Sequence, residues 1–320
     1  MGYGNLIVVI ILGFMASLLL TSVMIPILKN KQMGQNIREE GPESHKKKAG
    51  VPTMGGIAIV LGTIIAAGIG GFISADTVVL AIGFLGFGAI GFLDDYIKAI
   101  KKRNLGLRAY QKIVLQLIFA IGISCYIAYF TPMGTELFVP FAKVHIDFGA
   151  FYVPFSVFAI LAIVNAVNLT DGLDGLASGV TIMVAIVMAV IAMINDFDSV
   201  SIFSIALAGA LLGFLIYNKY PAKVFMGDTG SLALGGGIIT AALIMKMPLI
   251  LPIIGIVYLL EALSVCIQVT YFKMTGGKRV FKMTPLHHHF ELSGMNEVSV
   301  VLMFCGVTLI ACIIGSLGVF

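Results

Sequence analysis

At 320 residues, 59% hydrophobic and 11% charged, the chain is too apolar for a soluble fold, in which about a quarter of residues carry charge. Its formal net charge of +4 comes from basic residues between apolar runs, which is a topology signal and not a sign of nucleic-acid binding. Cys125, Cys266, Cys305 and Cys312 lie inside apolar runs at no metal-like spacing, so neither a disulfide framework nor a zinc site is implied.

Charge-free runs cover residues 1–28, 49–75, 77–93, 113–135, 148–170, 175–195, 199–218, 229–245 and 298–320, and a further run at 247–272 is interrupted only by Glu261. Crossing a hydrocarbon core takes about 20 apolar residues, so the pattern predicts an all-α integral membrane protein of about ten transmembrane helices. Residues 1–320 read as a single polytopic domain with its chemistry in the connecting loops. The first run has no basic residue ahead of it and no small-residue cleavage site after it, so it is a span rather than a signal peptide. Residues 131–149 alternate in polarity and carry Pro132, Gly134, Pro140 and Gly149, which predicts a small β-hairpin or reentrant cap. Counting loops alternately from an outer N-terminus, 18 of the 20 Lys and Arg fall on one side, and only Lys143 and Lys246 fall on the other. Short basic loops are retained in the cytoplasm, so both termini and the hairpin are expected on the periplasmic side.

The inner loops carry the chemistry. Residues 45–56 hold His45-Lys46-Lys47-Lys48 and the turn Pro52-Thr53-Met54-Gly55-Gly56. Lys46 and Lys47 are explained by anionic lipid, whereas Lys48, close to the turn, is a site candidate. Residues 92–98 read Phe-Leu-Asp-Asp-Tyr-Ile-Lys. Neighbouring aspartates on a helix point about 100° apart, so Asp94 and Asp95 cannot both face one partner. Lys98 stands at ion-pair spacing from Asp94. Paired carboxylates there suit either a capped helix end or a cation and proton-transfer site. In 165–175, Asn165, Asn168, Asp171 and Asp174 recur every third residue as a polar stripe leaving an apolar span, which has no packing rationale. In 218–231, Asp228 lies near a helix N-terminus, as an N-cap or as a metal ligand beside glycine amides suited to phosphate. Asn218 and Phe225 could hydrogen-bond and stack on a base.

Glu261 sits deep in its span, where a carboxylate costs about 2.5–3.5 kcal/mol on insertion scales and marks either function or a bond to a neighbouring helix. Residues 284–291 read Thr-Pro-Leu-His-His-His-Phe-Glu. His287, His288 and His289 near Lys278, Arg279 and Lys282 suit an oligo-anion, and three successive histidines cannot easily reach one zinc ion. Taken together the loops supply hard oxygen ligands, basic groups and glycine-lined turns with no Walker motif. That set suits Mg2+ carrying a diphosphate, and phosphoryl transfer by positioning and charge neutralisation.

The blocks Pro52–Gly56, Phe92–Lys98, Asn168–Gly175, Phe225–Ser231, Glu261–Ser264 and Pro285–Glu291 together resemble the signature of the phospho-N-acetylmuramoyl-pentapeptide translocase family, in order, from residue 45 to the end of the chain. The resemblance implies transfer of phospho-MurNAc-pentapeptide from UDP-MurNAc-pentapeptide to undecaprenyl phosphate. The products would be lipid I and UMP, with Mg2+ as cofactor, in the bacterial inner membrane and by a homodimer. Carried over by motif, it makes Asp94, Asp95, Asp228 and His287 the catalytic candidates, and Asp228 with Asn168 the metal ligands. Lys48, Thr53, Lys98, Lys112, Asn168, Asp171, Gly172, Asp174, Asn218, Phe225 and Gln268 would shape the substrate site, with His287, His288 and His289 on the diphosphate or sugar phosphate. A related transferase that moves N-acetylhexosamine phosphate onto polyprenyl phosphate is disfavoured by the unbroken His-His-His and the Asp-Gly-Leu-Asp-Gly block. An ion-coupled transporter would place its charges at the midplane within inverted repeats, and here only Glu261 is deep.

Overall fold

The protein is described from a computed structural model covering residues 3–31, 50–71, 74–101 and 106–320. Lys48, together with Arg38, Lys46 and Lys47, lies outside the described residues. Among the described residues the helices longer than four residues are, in chain order, α1 (Tyr3–Asn30), α2 (Gly56–Ile69), α3 (Ala75–Lys101), α4 (Ala109–Phe130), α5 (Tyr152–Thr170), α6 (Leu176–Ile194), α7 (Asp198–Asn218), α8 (Gly227–Ile244), α9 (Ile256–Met274), the short α10 (Leu286–Glu291) and α11 (Glu297–Leu317). Among the described residues, nine are long and apolar enough to cross a membrane. Large apolar side chains cover their outward faces, among them Ile7, Leu19, Phe158, Leu302 and Leu317, a surface that only lipid or protein can cover. The protein is a multi-pass membrane protein.

The tenth apolar run behaves differently from the other nine. Only its 14 residues Gly56–Ile69 are helical, about 21 Å of axis against a hydrocarbon core of roughly 30 Å. The residues ahead of it are non-helical because their backbone is bonded elsewhere: Phe225 N–H donates to Pro52 O, Gly55 N–H to Phe225 O and Gly56 N–H to Met226 O. Met54, buried and at φ 73°, sits in the left-handed region within this strap. Apolarity over 49–75 was satisfied by burial against another loop, not by helix alone.

The centre of the bundle is α8. Every residue from Thr229 to Ile244 is buried, the pattern of a helix that is apolar all round. Its principal neighbours are α3 and α5, with α2 alongside, while α1 packs mainly on α7 and α6 on α7. Small residues permit the closest approach: a Cβ on Gly91 of α3 would lie 2.0 Å from Asp228 O of α8. The outer helices α1, α9 and α11 are the least buried of the long helices.

The expected hairpin is present, with β1 (Glu136–Val139) antiparallel to β2 (Val144–Asp147) and Leu137 opposite Ile146. It is fastened to the bundle by Phe138 N–H to Lys246 O and Phe141 N–H to Gly318 O, so the C-terminal end of α11 lies at the hairpin end. Lys246, an exception to the charge asymmetry, is only 1% exposed. Its Nζ donates to Ile127 O and Gly134 O and stands 4.8 Å from the Tyr152 ring centre. Burial draws its pKa down to about 8, against the opposing pull of Glu136. Lys246 is a buried clamp rather than a loop charge, so the charge asymmetry of the loops does not apply to it.

The alternation of helices puts position 143 and position 223 at opposite ends of the bundle. In a cysteine-free background on intact cells, a single cysteine at 143 is expected to react with an impermeant maleimide, and one at 223 only after permeabilisation. Labelling of both from the same side would overturn the topology.

Candidate active site

The end opposite the hairpin is organised by the first turn of α8. Because α8 is buried, its free N–H groups lie inside the protein and need acceptors there. Met226, at the N-cap position, supplies no side-chain cap. Asp95 of α3 supplies one from across the helix pair. Its Oδ1 accepts Asp228 N–H at 3.1 Å, and its Oδ2 accepts Thr229 N–H at 2.9 Å and Thr229 Oγ1 at 2.7 Å. The turn fits only because residue 227 is glycine: it sits at φ 73°, and a Cβ there would meet Asp95 Oδ2 at 2.6 Å and Thr53 Oγ1 at 2.8 Å.

Relieved of capping, Asp228 turns its carboxylate into a ring of polar groups. Oδ2 takes Lys98 Nζ at 3.1 Å and Lys112 Nζ at 2.9 Å, and Oδ1 takes Asn168 Nδ2 at 3.0 Å. Asn168 also donates to Ser231 Oγ at 2.7 Å and accepts from Lys112 at 3.4 Å. Asp94 makes the expected pair with Lys98, 2.5 Å away, and accepts Leu107 N–H at 2.8 Å. Asp94 and Asp95 are each 3% exposed, and one oxygen from each of Asp94, Asp95 and Asp228 lies within 4.8 Å of the others. Contrary to the expectation from helical spacing, both neighbouring aspartates reach Asp228, Asp95 through its backbone N–H and Asp94 beside its carboxylate.

The polar stripe of α5 divides along its length. Asn165 exchanges hydrogen bonds with Gln116 of α4, Nδ2 to Oε1 at 2.9 Å, deep in the bundle. Asn168 joins the aspartate cluster. Asp171 follows the helix, partly buried, with no hydrogen-bond or ion-pair partner for its carboxylate among the described residues. Burial, then the charges of Asp228, Asp95 and Asp174, push its pKa well above the usual carboxylate range. Asp174 is tied in: its N–H donates to Glu297 Oε1 at 2.7 Å, and its Oδ2 accepts Ala222 N–H at 2.9 Å.

Several predicted site residues spend their polar atoms on the loops themselves. Asn218 accepts from Ser178 Oγ and donates to Val224 O. Gln268 accepts from Val280 N–H and Phe281 N–H, both at 3.0 Å, and donates to Phe281 O at 2.9 Å. Phe225, half-buried, is held by its backbone bonds to Pro52 and Gly55. The three histidines point to three different partners. His287 Nδ1 lies 3.1 Å from Glu261 Oε2, His288 Nδ1 lies 3.1 Å from Glu291 Oε2, and His289 Nδ1 accepts Lys282 N–H at 3.2 Å. Gln116, Thr229, Ser231 and Glu297 were not anticipated. Gln116, Thr229 and Ser231 stand in the sequence as polar residues within charge-free runs, the last two inside the Phe225–Ser231 block.

Residues 77–246 match the profile of Glycosyl transferase family 4. The chain is 50% identical to a phospho-N-acetylmuramoyl-pentapeptide-transferase of Alkaliphilus oremlandii over 98% of both chains. It is also 50% identical to proteins of the same name from Clostridium botulinum, over 96% of this chain and 94% of that one, and from Caldanaerobacter subterraneus, over 94% of each.

A carboxyl whose pKa is raised by folding costs stability as pH climbs from its unfolded value, about 4, to its folded one. Asp171→Asn removes that penalty. The variant is expected to unfold at a higher temperature than the parent at pH 7, with the difference closing as pH falls towards about 4. Identical unfolding temperatures at pH 7 would show that Asp171 carries no such strain.

Proposed function

We infer that this chain, which belongs to the phospho-N-acetylmuramoyl-pentapeptide-transferase family, transfers phospho-MurNAc-pentapeptide from its UDP carrier to undecaprenyl phosphate, forming lipid I and releasing UMP. The observation that carries the chemistry is the Asp94–Asp95–Asp228 cluster with Lys98, Lys112 and Asn168, gathered at the ends of α3, α4, α5 and α8. A water-borne nucleotide and a membrane-borne phosphate can meet only at such a level. The bias of basic residues supports a cytosolic face of the bacterial inner membrane and a chain of ten membrane helices, α2 being the short one. The family alone supports a homodimer.

The donor set fits Mg2+. Its groups are hard oxygens, sulfur is absent from it, and the Nδ1 atoms of the three neighbouring histidines are engaged elsewhere. Asp228 is the proposed ligand, with Asn168 alongside: Asp95 is spent capping the backbone of α8, and Asp94 is kept for the lipid phosphate. When bound, Mg2+ would neutralise charge on the diphosphate and its leaving oxygen.

In the proposed single step, an oxygen of the lipid phosphate forms a bond to the sugar-side phosphorus as the bridging bond to UMP breaks. Asp94, at the interfacial end of α3, takes up any proton left on the lipid phosphate. Lys98 and Lys112, now paired with Asp228, supply positive charge where the diphosphate oxygens lie. Phe225 and the turn it anchors form the uridine side, with Asp171, Gly172 and Asp174 on the adjoining loop. Thr53 flanks the Gly227 turn.

Purified protein given UDP-MurNAc-pentapeptide, undecaprenyl phosphate and Mg2+ is expected to release UMP, and to stop when the magnesium is chelated. No UMP release from monodisperse protein would remove the assignment. Asp94→Asn is expected to lower kcat far more than donor affinity, since it deletes an interaction of the transition state rather than uniform binding. An equal loss in both, measured by steady-state kinetics and donor binding, would reassign Asp94 to substrate binding.

A further inference from the structure

Glu261 is the one acidic residue in the run 247–272, and nothing in the proposed reaction uses it. It is 1% exposed, on the face of α9 that looks into the protein. Both of its carboxylate oxygens serve a single residue 26 positions away. Oε1 accepts the backbone N–H of His287 at 3.2 Å, and Oε2 lies 3.1 Å from His287 Nδ1. His287 is itself fully buried, and its Nε2 has no hydrogen-bond partner. That unpartnered edge of the ring lies against Gly172, where a Cβ would stand 2.2 Å from Nε2 and 2.4 Å from Cε1. Gly172 belongs to the loop that carries Asp171 and Asp174.

We propose that Glu261 is a positioning residue of the transfer reaction: it fixes the His287 imidazole with Nδ1 as donor, and so reserves Nε2 for the Asp171–Gly172 side of the site. This rests on the reading of that loop and His287 as part of the transferase site. The chemistry follows from donor and acceptor counts. A carboxylate only accepts, so the nitrogen facing it carries the proton whether the ring is neutral or charged. Nε2 is then the nitrogen whose state is free to answer a phosphoryl or sugar oxygen of the donor. The second oxygen of Glu261, on the backbone N–H, fixes the ring's height against Gly172, so that the pair sets both the tautomer and its place. Orienting an imidazole by a buried carboxylate is the general logic of a base held by a third group. A glutamine has one accepting oxygen. With that oxygen on the backbone N–H, its amide would donate to Nδ1 and move the ring proton to Nε2.

A merely structural Glu261 would tie α9 to α10 and cost the same with or without the imidazole. The test is therefore a double-mutant cycle in the full-length purified protein, with kcat and KM measured for UDP-MurNAc-pentapeptide. Glu261→Gln is expected to lower kcat by roughly 10–100-fold, the scale on which partners of functional histidines act, with a much smaller change in KM. In a His287→Ala background the same substitution is expected to cost almost nothing further. An equal loss in both backgrounds, no loss in the parent, or full kcat in His287→Ala would each overturn the proposal. Should Glu261→Gln fail to fold, 15N spectra of histidine-labelled parent protein decide it without that variant. The resonances missing from His287→Ala identify His287, and its Nδ1 is expected to be of the protonated type, whereas a bare Nδ1 would overturn the proposal. Those spectra need no turnover, so they report on the pair even if the parent releases no UMP, an outcome that would count against the transferase reading instead.

Discussion

The hydrogen bonds that Asp95 accepts from Asp228 and Thr229 are the constraint on which the rest of the site depends. A helix buried on every side still exposes its first N–H groups, and α8 brings them to the heart of the protein where water cannot satisfy all of them. Supplying the acceptor from α3 solves that problem and at the same stroke locks the two helices in register. Gly91 then lets the backbones touch, and Gly227 leaves room for the carboxylate. Once Asp95 holds the turn, the Asp228 carboxylate has one direction left, towards Lys98, Lys112 and Asn168.

The same arrangement explains why the proposed chemistry calls for a divalent cation. Asp94, Asp95 and Asp228 crowd within 4.8 Å, with Asp171 nearby, and Lys98 and Lys112 are already committed to them. A diphosphate approaching these carboxylates meets like charge unless a cation comes with it. Lys98 and Lys112 keep the cluster tolerable in the free protein. They are long, flexible groups that can trade a carboxylate for a phosphate at little geometric cost.

Around the cluster lies a layer of residues whose polar atoms are spent on backbone. Asp174, Asn218 and Gln268 hold the 171–175, 218–225 and 275–285 segments. Glu297, from the start of α11, fastens the first of these again. Loops at a membrane surface have few apolar contacts to fix them, so side-chain to backbone hydrogen bonds take over that task. The result is a site assembled from distant parts of the chain and supported from beneath.

What the sequence determined by itself was everything that depends on local composition. Charge-free runs of about membrane-spanning length, basic residues between them and the Pro and Gly punctuation of 131–149 placed the long helices and the hairpin, because lipid penalises each exposed polar group separately. The motif residues were legible for a related reason: polar groups such as Asn168 and Asp171 at the mouth of an apolar span have no packing purpose. The tertiary structure alone decided which partner each of them received. Asp95 to Thr229, Gln116 to Asn165 and Glu261 to His287 are pairs separated by 134, 49 and 26 residues, and no periodicity links them. It also decided that the apolar run at 49–75 yields only the 14-residue helix α2 behind a non-helical strap. Hydrophobicity reports that a segment is buried, but whether it is buried by lipid or by another loop is settled only when the backbone hydrogen bonds find their partners.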